Sequence, residues 1–303
     1  MRSGIIAGII AAVSWGTVFV FGQIGVREGA CHPIMISLIR FLSASFFLLA
    51  ASLLSGIKIR IKKRDVPTFL LLGISGIFGM NILVFSSLKY TAATSTSILM
   101  NSNPIIITLL AGFILKEKSS RREILAILIG FLGCYLTISQ GRFSGISYGG
   151  NLLALGASFC WALYTIIAKK TGVIARYGAV IATFWPAVFG SILLFFTLLL
   201  LKIPFATTKT GWLVGIYLGL IPAGLGFTLW FFAVQRLKVV AAGVLQFLAP
   251  LTTGIIAVWW LKERISGYTI FGGILILAGA MLPFVKNHAI SRDPKRVALR
   301  IQK

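Results

Sequence analysis

A constant offset of 146 residues maps one half of this chain onto the other, and the unit so repeated holds an odd number of apolar segments of membrane length. Trp15 returns as Trp161, Gly73 as Gly219, Phe85 as Phe231, Pro104 as Pro250, Leu115-Lys116-Glu117 as Leu261-Lys262-Glu263, and Gly133 as Gly279. The alignment runs from the first apolar segment to the last without a gap. A unit with five crossings ends on the side opposite its start, so its copy must sit upside down relative to it. That is the inverted-repeat plan of many secondary transporters.

Of 303 residues, 58% are hydrophobic and only 12% charged, and the mean hydropathy is +0.97. Soluble proteins carry about 25% charged residues, and a helix needs about 20 apolar residues to cross hydrocarbon. Ten such spans can be read, at about 4–26, 34–56, 66–88, 93–115, 122–140, 148–168, 178–201, 210–235, 240–261 and 267–286. The expected fold is an all-α integral membrane protein of ten transmembrane helices, built from two inverted five-helix repeats. Residues 1–140 form the first repeat, 141–286 the second, and 287–303 a basic tail.

The net charge of +23 does not indicate a nucleic-acid partner, because Lys and Arg gather at span ends rather than on one soluble face. Sorted by side, 21 fall on one side and 7 on the other, with Arg40 alone inside a span. The positive-inside rule then puts both termini and the tail in the cytoplasm; composition suggests the plasma (inner) membrane. Cys31, Cys134 and Cys160 are scattered, without CxxC or metal-ligand spacing. No metal or cofactor is expected. Small residues at helical spacing (Gly4 and Gly8; Gly73, Gly76 and Gly79; Gly130 and Gly133; Gly215 and Gly219) let helices approach closely in lipid. They suit packing within a monomer or a weak homodimer.

The motifs Ser14-Trp15-Gly16-Thr17, Arg40-Phe41-Leu42, Leu88-Lys89-Tyr90-Thr91-Ala92-Ala93, Pro104, Leu115-Lys116-Glu117, and Gly130 with Gly133 follow one another in a recognisable order. In order, spacing and duplication the chain resembles the EamA family of the drug/metabolite transporter superfamily over nearly its whole length. The resemblance implies a ten-helix carrier with a central cavity between its halves and helices five and ten at the periphery. It implies export of amino acids or other small metabolites, without naming one. The halves differ where Pro186 stands opposite Arg40 and Gln235-Arg236 opposite Lys89-Tyr90.

All six acids, and both histidines, fall at span ends or in loops. Proton-coupled carriers use an intramembrane acid or histidine relay, so facilitated diffusion or exchange of a neutral or zwitterionic solute is expected. The same absence argues against an enzyme, which would need paired acids or a nucleophile with its base. Arg40 suits either a structural role, snorkelling to the interface, or contact with a substrate carboxylate. Pro104 and Pro250, symmetry mates in spans four and nine, each remove a backbone hydrogen bond and form either static kinks or hinges. Asn81, Asn101, Asn103 and Gln246 lie at mid-membrane depth and are read as cavity lining. Trp15, Trp161, Tyr164 and Trp230 supply aromatic walls or plain packing. Glu117 and Glu263 close spans four and nine as helix caps or as mouth gates.

The reading is a secondary transporter of a small organic metabolite (an amino acid or similar solute), working by alternating access and outward. Alternatives are an importer or antiporter of sugar-phosphate or nucleotide-sugar type, and a multipass channel or sensor. Its partners are a small-molecule substrate and the bilayer.

Overall fold

In hydrocarbon no water satisfies backbone N–H and C=O groups, so a spanning chain must close its hydrogen bonds within each segment. The computed structural model is accordingly all-helical apart from short connections in the described residues, which are 2–27, 31–90, 96, 99–139, 148–261 and 267–284. Residues 91–95, the connection 141–147, Lys262-Glu263 and the tail 287–303 lie outside them. The helices are α1 (Arg2–Arg27), α2 (Pro33–Leu54), α3 (Lys63–Ser87), α4 (Asn103–Leu115), α5 (Arg121–Ser139), α6 (Tyr148–Lys170), α7 (Val173–Leu200), α8 (Lys209–Arg236), α9 (Val239–Leu245 and Leu248–Leu261) and α10 (Gly267–Met281). Among the described residues seven helices are long and apolar enough to cross a membrane, and α4 and the stretch Ile270–Phe284 are shorter apolar helices. This is a multi-pass membrane protein.

Local sequence sets several helix starts. Ser120 and Glu123 form a reciprocal capping box on α5: the Glu123 amide donates to the Ser120 hydroxyl at 3.2 Å and the Ser120 amide to the Glu123 carboxylate at 2.7 Å. Thr208 caps α8 by accepting from the Gly211 amide, and His32 caps α2 ahead of Pro33. Two stretches of wide, π-type helix occupy equivalent places in the repeats, Gly73–Gly79 in α3 and Gly219–Leu225 in α8.

Packing follows a two-fold pattern. α2 packs on its mate α7 and α5 on its mate α10, while the pair α1–α8 is repeated by α6–α3 and α1–α9 by α6–α4. Mates run antiparallel: Gly133 on α5 faces Gly272 and Ile276, and Gly130 faces Gly279. Likewise Cys31, before α2, is hydrogen-bonded to Thr207, beyond α7, whereas Ile59, beyond α2, accepts from the Trp185 indole in the first half of α7. The repeats are therefore inverted relative to one another. The small residues serve intramolecular contacts, Gly73 against Gly190 and Pro186 and Gly8 against Ala233 and Leu245.

A Cβ at Gly133 would stand 2.7 Å from the Gly272 carbonyl oxygen and 2.8 Å from the Ile276 amide nitrogen. Gly133→Val is expected to destabilise the protein by about 1–3 kcal/mol through overpacking, read as a lower melting temperature in detergent. Gly112→Val, whose Cβ meets nothing within 4 Å, should change it little. Equal melting of both variants would contradict the α5–α10 packing.

Candidate functional site

Several interrupted turns in the bundle leave carbonyls that side chains satisfy, and those side chains converge on one cavity. α4 begins at a turn at 101–102, so Pro104 sits in the first helical turn, where its missing N–H costs nothing. The carbonyl freed four residues back, that of Met100, accepts from the Asn103 side-chain amide at 2.7 Å and from the Ser158 hydroxyl at 3.4 Å. In the second repeat α9 breaks at 246–247, and Pro250 falls in the first turn of its second piece. The prolines thus follow breaks rather than bend continuous helices, a correction to the expected mid-helix kinks.

The wide turns are capped in the same manner. Asn81 donates to the Gly76 and Ile77 carbonyls at 3.3 and 2.8 Å. Across the two-fold, the carbonyl of Pro222 (the mate of Gly76) accepts from the Trp15 indole at 2.9 Å. The mate of Trp15, Trp161, donates to the Gln246 side-chain oxygen at 2.9 Å, beside the α9 break. Trp15 and Trp161 meet edge to face with ring centroids 5.1 Å apart, so the two-fold passes between them.

These groups line a partly open cavity between the repeats. Trp15, Trp161 and Phe227 form its aromatic wall, and Arg40, Asn101, Asn103 and Gln246 its polar wall. Val18, Phe19, Met80, Val84, Phe85, Met100 and Ala249 complete the lining among the described residues, to which α5, α7 and α10 add none. Most lining residues sit toward the end of the bundle that bears Arg27, Lys202 and Lys209, away from the Lys58–Arg64 loop.

Among the described residues Arg40 is the only charged one in that lining, and it is 3% exposed. One guanidinium nitrogen donates to the Asn81 side-chain oxygen at 3.0 Å, and the group lies 5.1 and 5.8 Å from the ring centres of Phe41 and Phe227. Among the described residues no carboxylate pairs with it; the ion pairs found belong to Asp65, with Arg64 and Arg176. Among the described lining residues three polar atoms are buried without a hydrogen-bond partner: Arg40 Nε, Asn103 Oδ1 and Gln246 Nε2.

Of the nine residues expected to line a site, six line this cavity: Trp15, Arg40, Asn101, Asn103, Trp161 and Gln246. The other three stand behind it. Asn81 holds Arg40; Trp230 packs on Trp15 and Trp161, 5.4 and 6.0 Å between centroids; Tyr164 backs Trp161 at 5.3 Å. Missed were Phe227 and the apolar wall. Helical spacing points to part of that wall, since Val18 and Phe19 follow Trp15, and Val84 and Phe85 follow Asn81, by three and four residues. Glu117 accepts from the Val239 amide at 3.3 Å, capping the first turn of α9 from the other repeat. Its mate Glu263 lies outside the described residues.

The model of the EamA-like transporter family matches residues 2–139 and again residues 148–285. The chain belongs to that family. An uncharacterized transporter of Archaeoglobus fulgidus is 28% identical over 282 residues, spanning 90% of this chain and 94% of its own length. A probable terminal-alkyne amino-acid exporter of Streptantibioticus cattleyicolor is 25% identical, over 90% of this chain and 91% of its own. The aromatic amino acid exporter YddG of Ancylobacter novellus is 23% identical, over 92% and 94%. A crystal structure at 23% identity superposes over the whole of both chains with a TM-score of 0.79, which fixes the fold alone.

Asn81→Leu is expected to cost about 2–3 kcal/mol, because it leaves buried charge and carbonyls short of partners. Arg40→Met with Asn81→Leu should cost less than the sum of the single changes, since the cation is then gone. Thermal unfolding in detergent measures both, and strict additivity would contradict the coupling.

Proposed function

We propose that the chain is a secondary carrier for a small organic metabolite, an amino acid or similar solute, that works by alternating access and moves its substrate outward. In this reading all ten helical segments cross the plasma membrane, both termini are cytoplasmic, and the carrier acts as a monomer or weak dimer. The observation that carries it is the aromatic and polar cavity between antiparallel repeats, flanked by a broken helix from each. Repeats that can exchange shapes about such a site open it to either side in turn. The breaks before Pro104 and Pro250 are its hinges. Two relatives are named as exporters of amino acids, in keeping with the solute class. A sugar-phosphate exchanger is disfavoured, because a phosphate dianion calls for more cations than the single Arg40 in the lining.

Among the described residues Asp65, Glu117 and Glu123 stand at helix ends, and none faces the cavity, which supports uncoupled transport. Counterflow of labelled amino acids in proteoliposomes without an ion gradient should saturate, and an imposed pH gradient should not accelerate it. Trp161→Ala removes part of the wall and the partner of Gln246, and should raise the half-saturating concentration about tenfold, equivalent to about 1.4 kcal/mol. Flux that rises linearly with concentration would indicate a channel instead.

A further inference from the structure

The orientations of the three amides around the cavity follow from their partners, not from choice. The Asn103 group facing the Met100 carbonyl has to be the NH2, because a carbonyl only accepts. The Gln246 group facing the Trp161 indole has to be the oxygen, because an indole N–H only donates. Asn81 spends its NH2 on two carbonyls and its oxygen on Arg40. What remains is therefore defined: Arg40 Nε and Gln246 Nε2 are spare donors, and Asn103 Oδ1 is a spare acceptor. Their residues are 3%, 4% and 5% exposed, and all three line the cavity.

A buried cation without a counter-ion and a buried acceptor without a donor are both costly. A ligand that brings an anion and a cationic donor on one small frame removes both costs together. Resting on the carrier reading above, we propose that Arg40 and Asn103 form a two-pole site for a free α-amino acid: Arg40, aided by Gln246, takes the carboxylate, and Asn103 Oδ1 takes the ammonium. The planar guanidinium suits a carboxylate. The Trp15, Trp161 and Phe227 rings are left for an apolar side chain, with ring faces that also favour the ammonium. A simple amine meets the uncompensated charge of Arg40 and is rejected. A simple carboxylate leaves Asn103 Oδ1 unpaired and binds less well than the zwitterion.

The test has two readouts on the full chain: quenching of tryptophan fluorescence, which Trp15 and Trp161 report, and counterflow in proteoliposomes. The probes are the twenty common L-amino acids; then, for the tightest binder, its methyl ester, its N-acetyl derivative, the amine lacking the carboxylate and the acid lacking the amino group. The ester and the amine should bind at least tenfold more weakly than the parent, and the N-acetyl and des-amino compounds at least fivefold. Arg40→Gln should bring acid and ester to within threefold of each other, and Asn103→Leu should do so for the parent and its des-amino analogue. Should Arg40→Gln fail to fold, the derivative series on the unaltered protein decides alone. Zwitterion-selective binding without counterflow leaves the site standing and overturns the carrier. Counterflow in which ester and acid compete equally keeps the carrier and overturns the site. Absence of binding by all twenty amino acids also overturns the site.

Discussion

The structure depends on the rule that a helix interrupted inside hydrocarbon must have its stray carbonyls met by side chains. Besides the wide turn at Ala111–Leu115 and the kink at Gly178 in α7, the described residues show four interruptions beside the cavity, in α3, just before α4, in α8 and in α9. Asn81 serves the first, Asn103 the second and Trp15 the third, while Gln246 stands at the fourth and is held by Trp161. Each of these side chains comes to or stands just behind the same cavity. The polar groups that make a broken helix tolerable in lipid are thus the groups that furnish the site.

Inversion gives two copies the same backbone, yet the copies are not equivalent. Pro186 stands where Arg40 would repeat, so charge enters the cavity from one repeat only. A second asymmetry lies at the end with the basic loops. There Asp65 of the first repeat accepts from Arg176 and Tyr177 of the second, and the Tyr177 hydroxyl accepts from the Lys62 amide. Lys169, also there, donates to the Val234 and Leu237 carbonyls at 2.6 and 3.3 Å. The positions matching Asp65 and Arg176 are Gly211 and Ala30, which offer no such pair. Opening of that end, in the proposed cycle, separates Asp65 from Arg176.

Much of this was legible in the residues. The offset of 146 carries the inversion, because mates such as α5 and α10 must then run antiparallel. Six cavity residues were visible because polar or indole groups at mid-membrane depth are expensive without a purpose. The wide turns of α3 and α8 were not visible: glycines at 73, 76 and 79 read equally as packing residues, and the hydrogen-bond register they permit is a tertiary outcome. The placing of Trp230 and Tyr164 behind the wall rather than in it was hidden for a related reason. Helical period tells which side chains share a face, while the rotation of α6 and α8 against α1 decides which of them reach the cavity.

In the proposed cycle one cavity is reached from one side of the membrane at a time. Val18 lines the cavity, and its hydrogen-bonding roles are confined to its backbone. A Val18→Cys variant, with Cys31, Cys134 and Cys160 replaced by Ala or Ser, can be labelled in oriented vesicles by a membrane-impermeant maleimide from either face. Alternating access predicts labelling from one face at rest, labelling from the opposite face as well once a transported solute drives turnover, and protection when that solute saturates the cavity. Labelling from both faces at rest with no response to solute would mean a continuous pore, and would contradict it.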